Sequence, residues 1–196
     1  DTEGAFEGSQ GIPPILAKIG DPIALPALEK AARSADPVLS SNAVHALARI
    51  LLESGLIKER KSDIEDMVLK ELAASTKSRI REQHLTDHPN AAILCSALGQ
   101  ESKNHLSNAF ILLDILTPGV RLQELYQNLT RSEEDRGNVI EVLENVLRGQ
   151  VRTETLATIR ATDAPPCDDV EALLREILDE PCSNWVKIGT LHTIGQ

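Results

Sequence analysis

Apolar residues along most of this chain recur at the spacing of an α-helix. The segment that begins near Val170 places Val170, Leu173, Leu174, Ile177 and Leu178 at positions i, i+3, i+4, i+7 and i+8, which is typical of one face of a helix. The segment after Pro37 carries two adjacent apolar faces, formed by Leu39, Ala43, Ala46, Leu47 and Ile50 and by Val44, Ala48 and Leu51. A helix with two apolar faces packs on several sides. Since no segment shows sustained alternation of strand-forming residues, the chain is predicted to be all-α.

Start and stop signals divide this pattern into helices. Asp21-Pro22 and Asp36-Pro37 each combine an N-cap acceptor with a proline at the first helical position. Ser62-Asp63-Ile64-Glu65 has capping-box spacing and predicts a helix that runs towards Leu85. Residues 1–11 are read as a loosely ordered lead-in, and 162–166 as a loop. Further helices are predicted over about 90–98 (ending near Gly99), 102–116, 117–129, Ser132 to Gly149, 153–159, and from near Pro181 to the end.

Short internal similarities point to a repeat. Leu16-Ala17-Lys18-Ile19, Leu47-Ala48-Arg49-Ile50 and Leu191-His192-Thr193-Ile194 are alike, and each is predicted near the end of a second helix. The block from Ile19 to Ile50, a helix, an Asp-Pro turn and a helix, closely resembles a HEAT repeat. This resemblance implies an α-α superhelix, a HEAT-like solenoid of antiparallel helix pairs over 12–196. With units of about 40–47 residues, the chain would hold four to five pairs, and stacking would be obligatory to cover their apolar faces.

A narrower resemblance covers about half the chain. Ser107 to Asp114, Arg136 to Leu147 and Asp179 to Val186 resemble helices in the HEAT region of bacterial proteins related to nucleotide-transporter or major-facilitator-like chains. In that group the solenoid is often joined to a membrane domain and a cyclic-nucleotide-binding domain. The resemblance implies a cytosolic regulatory role, but it carries no transport or ligand-binding residue onto this sequence, because the matched motifs serve helix packing.

Composition and charge exclude several classes of partner. Hydrophobic residues make up 41% of the chain and aromatic residues 2%, which favours close packing of Leu, Ile, Val and Ala between helices over a β-sandwich. The formal net charge of -10 repels phosphate backbones and anionic lipids, so nucleic acid and membrane surfaces are not expected partners. The small basic cluster of Lys58, Arg60 and Lys61 is interpreted as a solvated loop between helices.

Cysteine usage and the ends of the chain indicate its setting. Cys95, Cys167 and Cys182 are too scattered for a disulfide framework or a zinc site, so reduced thiols in a cytoplasmic protein are expected. The most apolar run, 111–116, is interrupted by Asp114 and is far shorter than the ~20 residues of a membrane span. The first residue is not Met, and the last predicted helix stops at Gln196. The chain is therefore expected to be a fragment whose uncapped ends associate weakly.

Four candidate sites are weighed against simpler interpretations. His84 and His88 lie four residues apart, but with Pro89 adjacent and no third ligand a solvent-facing pair is favoured over a metal site. Cys95 lies in an apolar segment and is read as a core thiol. Asn128-Leu129-Thr130 matches a glycosylation acceptor but is discounted because it falls in a predicted helix of a cytosolic chain. Trp185 is either an interface anchor or, in keeping with a repeat start, a packing residue.

Enzymatic roles find little support in the residues. HEAT-like iron-dependent hydroxylases use His-Glu dipeptides, and none of the five histidines here precedes Glu. HEAT-like DNA glycosylases need a basic face and aromatic residues, and a HEAT-type lyase of tetrapyrrole attachment would bind a coloured ligand. We therefore expect no catalytic, cofactor or metal residue. The predicted function is a protein-interaction scaffold that binds a partner protein or a neighbouring domain. The alternative is a cytosolic regulatory domain of a bacterial membrane transporter or cyclic-nucleotide-responsive protein.

Overall fold

A computed structural model describes residues 9–129, 133–160, 167 and 169–195. These described residues form ten α-helices and no strand, so the all-α prediction is confirmed for them. The helices are α1 (Ile12–Ile19), α2 (Leu25–Ala31), α3 (Pro37–Ser54), α4 (Lys61–Leu85), α5 (Ala92–Leu116), α6 (Leu122–Tyr126), α7 (Glu133–Val146), α8 (Gly149–Arg160), α9 (Val170–Asp179) and α10 (Asn184–Ile194). Single 3₁₀ turns, Ser9–Gly11 and Pro22–Ala24, precede α1 and α2. Residues 1–8 of the predicted lead-in lie outside the described residues.

The two Asp-Pro signals act as helix caps. Asp36 Oδ1 accepts hydrogen bonds from the backbone N–H of Val38 at 2.9 Å and of Leu39 at 3.2 Å at the start of α3. Asp21 Oδ1 accepts one from Ile23 N–H at 2.9 Å and begins the 3₁₀ turn before α2. Each aspartate satisfies amide donors that a helix start leaves without partners. These local starts confirm the helix, Asp-Pro turn, helix order predicted for 22–50.

The capping box predicted at the start of α4 is wrong. The helix begins at Lys61, and its N-cap residue, Arg60, makes no side-chain cap. Asp63 instead accepts a hydrogen bond from Arg60 Nε at 2.6 Å, and Arg60 also pairs with Glu29. The carboxylate is engaged with a cation because the earlier start places Asp63 inside the first turn. Lys58 is exposed on the connection between α3 and α4, in agreement with the loop interpretation.

The predicted break near Gly99 is also wrong, because α5 is one continuous helix of 25 residues. A Cβ added at Gly99 would lie 2.7 Å from Glu82 Oε1 on α4. This atom is the end of a flexible side chain that can move aside, so the contact does not by itself require glycine at this position. Glycine inside a helix costs about 1 kcal/mol relative to alanine, and the packing of α4 against α5 outweighs that local preference.

Three other boundaries differ from the sequence prediction. The helix predicted over 117–129 is limited to α6, and α7 ends at Val146, before Gly149. Gly149 has φ of 59° and begins α8. The last helix starts at Asn184, after the Ser183 cap, and not at Pro181. The predicted start at Ser132 and the predicted loop over 162–166 lie outside the described residues.

Helices α4 and α5 form a long antiparallel hairpin at the centre of the protein. Contacts run in opposite directions along them, from Glu71 with His105 through Ser78 with Glu101 to Glu82 with Cys95. Each helix is about 37 Å long at 1.5 Å per residue. Helix α3, with α1 and α2 against it, packs on α5, as do α6 and α10; α8 and α9 pack on α4, and α7 packs on α8.

Two separate hydrophobic cores lie along this hairpin. The main core surrounds the second half of α5 and centres on Phe110, which is fully buried and whose ring lies 5.2 Å from that of Tyr126. The second core lies at the other end of the hairpin and is smaller. Its buried members are Leu85, Ala91, Leu94, Leu98, Leu174, Ile177, Cys182 and Val186. This second core attaches α9 and α10 to the start of α5.

Apolar side chains remain exposed on α1 and α10. Ile12, Ile15 and Ile19 project from α1, and Ile188, Leu191 and Ile194 from α10. Each set shares a helix with residues that pack inward, so these helices are apolar on more than one side. The weak self-association expected from uncovered faces stays a prediction.

Candidate functional site

A groove of about 530 Å³ crosses the first half of α5. Its floor is the outward face of α5, and its walls are the start of α3, at Pro37, and the start of α10, at Ser183 and Trp185. We call it the α5 groove. It is lined by Pro37, Ala92, Ile93, Ser96, Ala97, Gln100, Glu101, Asn104, Ser183 and Trp185. From Ile93 to Asn104 the floor spans about 17 Å, or three helical turns.

Two large apolar side chains are exposed in this groove. Ile93 is 48% exposed on the floor, and Trp185 is 69% exposed on the wall. Trp185 is the only tryptophan in the chain. Its exposure does not fit the packing interpretation and agrees with an interface anchor, since tryptophan buries a large area when a partner covers it.

Hydrogen bonds hold the start of α10 in place beside α5. Ser183 Oγ accepts from Val186 N–H at 3.4 Å as the N-cap, and Ser183 N–H donates to Glu101 Oε1 at 3.1 Å. Because Glu101 lies on α5, this second bond ties the α10 wall to the floor of the groove near Trp185. The indole is thus presented from a fixed backbone.

A close helix crossing fixes the rest of α10. A Cβ added at Gly189 would lie 2.9 Å from Leu94 Cα and 3.1 Å from Leu94 N. The two backbones therefore approach more closely than any residue with a side chain at this position allows. The position of the groove wall depends on this glycine.

A second cavity, the polar cleft, adjoins the groove. It has a volume of about 270 Å³ and lies between α4, α5, the α2–α3 connection and the α9–α10 connection. Pro37, Glu101 and Asn104 line both cavities, so the groove and the cleft meet at these residues. Most other lining residues of the cleft are polar or charged, in contrast to the apolar floor beside it.

Ion pairs neutralise the end of the cleft next to α9. Arg81, which is 8% exposed at its side chain, contacts Glu176 at 2.7 Å and Glu180 at 2.8 Å. Lys77 Nζ lies 2.6 Å from Glu180 Oε1. The hydrogen bond from Lys77 lowers the pKa of Glu180, with Arg81 adding to the effect. Both cations are thus engaged within the fold.

His105, which lines the cleft away from α9, belongs to a carboxylate–imidazole pair. Glu71 Oε2 lies 2.8 Å from His105 Nδ1 and accepts a longer hydrogen bond from Asn108 Nδ2 at 3.4 Å. Asn108 is only 2% exposed, and no described group donates a hydrogen bond to its Oδ1. If the amide oxygen and nitrogen were exchanged, the oxygen would face the Glu71 carboxylate, and two acceptors cannot form a hydrogen bond. The side-chain atom without a partner is therefore the oxygen, which is an acceptor.

The Glu71–His105 pair gives stability a defined pH dependence. Burial lowers the pKa of His105, but the hydrogen bond and charge of Glu71, with the charge of Glu101, outweigh it and leave the pKa above 6.5. A raised folded-state pKa stabilises the fold fully below the unfolded value, and that contribution disappears as pH rises through the folded-state pKa. We expect the stability difference between the native protein and His105→Gln to be largest near pH 5.5 and to shrink towards pH 9.

Urea unfolding at a series of pH values measures this difference. Glu71→Gln serves as the second variant, because it keeps the side-chain size and removes the charge that raises the pKa of His105. In the Glu71→Gln background, His105→Gln should no longer cost more stability at pH 5.5 than at pH 9, because only the charge of Glu101 remains to offset the burial of the imidazole. A difference that stays constant or grows with pH would contradict the assignment.

The structure separates the histidines considered as metal ligands. His84 lies in the last turn of α4, whereas His88 follows the end of the helix, so the two imidazoles do not share a helical face. Both are half-buried, which corrects the solvent-facing interpretation; the end of α4 packs beside the second core. Over the described part of the chain, no three His, Cys, Asp or Glu side chains gather as a metal site.

The cysteine and glycosylation candidates also have defined places. Cys95 is half-buried against the second core, and burial raises the pKa of its thiol. Cys95, Cys167 and Cys182 are all free thiols. Asn128 follows α6 in a turn, so its predicted helical position is wrong; Thr130 lies outside the described residues.

The polar cleft was not predicted from the sequence, although the spacing of polar residues that indicates it is present. Glu71, Ser75 and Ser78 follow i, i+4, i+7 spacing on α4, and Glu101, His105 and Asn108 follow the same spacing on α5. Two polar stripes of this kind on neighbouring helices indicate a polar seam between them. Their pairing is long-range, so only the structure shows that the stripes face each other.

Comparisons with protein-family models, with curated proteins and with solved structures found no match to this chain. No helix within the described ranges has the length and apolar character needed to cross a membrane.

Proposed function

We propose that this protein is a non-catalytic interaction module that binds an apolar helical segment of a partner protein in the α5 groove. The observation that carries the proposal is the exposure of Ile93 on the floor and of Trp185 on a wall of one groove. An amphipathic helix binds such a groove through apolar anchors at i, i+3, i+4 and i+7. The three-turn floor matches a ligand helix of the same length.

The surrounding charge favours a partner segment that is neutral or basic. The chain carries a formal net charge of -10, and the one charged residue that lines the groove, Glu101, is acidic. A segment with acidic flanks would be repelled during encounter, whereas a basic one would be attracted. The proposed occupant is therefore an amphipathic helix with apolar anchors and basic flanks.

The HEAT-like solenoid and the cytoplasmic setting belong to the same proposal. Two Asp-capped helix starts and ten packed helices support repeated helix pairs, and the free thiols of the described cysteines suit a reducing compartment. Stacked pairs of this kind present extended surfaces to protein segments. The groove is one such surface.

Trp185 provides a direct test. Peptides of 16 residues are selected from a displayed library with apolar residues at helical spacing, and binding is followed by tryptophan fluorescence. Selected peptides should shift Trp185 emission to shorter wavelength as they exclude water from the indole. Ile93→Glu should weaken their binding at least about tenfold, which corresponds to about 1.4 kcal/mol, because it places a charge on the apolar floor.

Ile23→Glu is the matched control. Ile23 is 83% exposed and precedes α2, outside the residues that line the groove, so its replacement should leave peptide binding unchanged. Failure to select any peptide that shifts Trp185 emission, or equal binding by the Ile93→Glu variant, would refute the proposal.

A further inference from the structure

The polar cleft contains two hydrogen-bond acceptors, Glu101 and Asn108, that pair with no Lys or Arg of the described residues. Glu101 accepts from Ser183 N–H at 3.1 Å and from Ser78 Oγ at 3.3 Å, and both donors are neutral. Among the described residues, no Lys or Arg forms an ion pair with Glu101. A half-buried carboxylate without a cation is stabilised when a positively charged group reaches it.

Asn108 adds an independent observation. Its side chain lines the same cleft, is almost completely buried, and has an Oδ1 atom without a donor. Buried polar atoms are nearly always hydrogen-bonded, so this oxygen points to a donor that is supplied from outside the fold. His105 lies between Glu101 and Asn108 in sequence, one turn from each on the same face of α5.

The positive groups of the cleft do not meet this need. Lys77 and Arg81 pair with Glu176 and Glu180 at the α9 end. Arg33 also lines the cleft, but it is exposed and forms no ion pair with Glu101 among the described residues. A carboxylate or phosphate ligand would bring further acceptors to Glu101 and Asn108, which already lack a cation and a donor. A protonated amine or guanidinium supplies both the charge and the N–H groups.

We propose that the polar cleft receives a lysine or arginine side chain of the helical segment that occupies the α5 groove. The inference rests on the proposed function, since the two cavities share Pro37, Glu101 and Asn104. The apolar anchors cover Ile93 and Trp185, and the basic side chain enters at the junction and pairs with Glu101. The basic residue thereby sets the register of the ligand, which an apolar groove alone specifies weakly.

A double-mutant cycle with the selected peptides tests this inference. Each peptide is scanned with lysine, arginine, glutamine and glutamate at successive positions, and affinities are measured for the native protein and for Glu101→Gln. At one position, lysine or arginine should bind at least tenfold more tightly than glutamine. Glu101→Gln should abolish that preference, so that lysine, arginine and glutamine at this position bind within about twofold of one another.

Glu59→Gln is the control for general electrostatic attraction. Glu59 is exposed on the connection before α4, at the opposite end of that helix from Ser78, and its replacement removes the same formal charge. It should retain the preference for lysine or arginine. A preference lost equally in both variants would show attraction by net charge and would overturn the inference.

The remaining outcomes separate this inference from the proposed function. If peptide binding depends on Ile93 but shows no preference for a basic residue, the proposed role of the cleft is refuted, whereas the proposed role of the groove is retained. A preference for glutamate at that position would assign the cleft to an anion, held by Arg33, Lys77 or Arg81, and would also overturn the inference. Absence of any Ile93-dependent peptide would refute the groove itself.

Discussion

Replacing Phe110 with alanine is expected to lower the free energy of unfolding by about 3–5 kcal/mol. Phe110 is fully buried at the centre of the main core, so the substitution removes both apolar burial and packing, and it leaves a cavity that the surrounding helices fill only in part. The ring contact with Tyr126 is lost as well, which is worth about 1 kcal/mol in such pairs. The midpoint of thermal unfolding should fall by about 10 °C.

Leu52→Ala provides the comparison for this loss. Leu52 lies on α3, which packs against α5, but its own side chain is exposed. Its replacement should change the free energy of unfolding by about 0.5 kcal/mol at most. Urea unfolding followed by circular dichroism measures both variants. Similar small effects for the two would show that Phe110 is not the centre of the core.

Replacing Gly189 with valine is expected to cost about 3 kcal/mol, at the upper end of the range for overpacked sites. The added Cβ would meet the backbone of Leu94 at 2.9 Å, and a backbone atom has no alternative rotamer. Helix α10 must then move away from α5, which opens the second core. Because α10 carries Trp185, its fluorescence spectrum should change together with the stability.

Gly137→Ala separates this steric effect from helix propensity. Gly137 lies on α7, and a Cβ at that position meets no atom within 4 Å. Alanine there should leave stability unchanged or raise it by about 1 kcal/mol. If Gly189→Val unfolds at the same urea concentration as the native protein, the close crossing of α5 and α10 is wrong.

The sequence predicts elements whose signals are local. Helix α3 is recognised because its cap, Asp36, and its apolar faces all lie within the element, and α9 because its apolar residues keep one helical period. Both depend on interactions between residues a few positions apart. The free cysteines were also predicted from the sequence, and Trp185 was identified as a candidate anchor, because each of these features depends on a single residue.

The rest depends on contacts between distant parts of the chain. Gly99 is typical of a helix end, but in the structure it is buried within α5, where the packing of that helix outweighs the local preference of glycine. The α5 groove combines Pro37, Ile93 and Trp185, which are far apart in sequence. The cleft likewise requires Glu71 and His105 to meet across two helices. The periodicity of apolar residues identifies the buried face of each helix but does not identify the helix that packs against it.

The two cores along α5 divide the stability of the protein unevenly. The second half of this helix is surrounded by the larger core, whereas its first half rests on the smaller cluster shared with α9 and α10. Backbone amides of α10 and the first turns of α5 are therefore expected to undergo hydrogen exchange through a partial opening of lower free energy than global unfolding. If the proposed groove binds a ligand, occupancy should slow exchange first at this end of the protein.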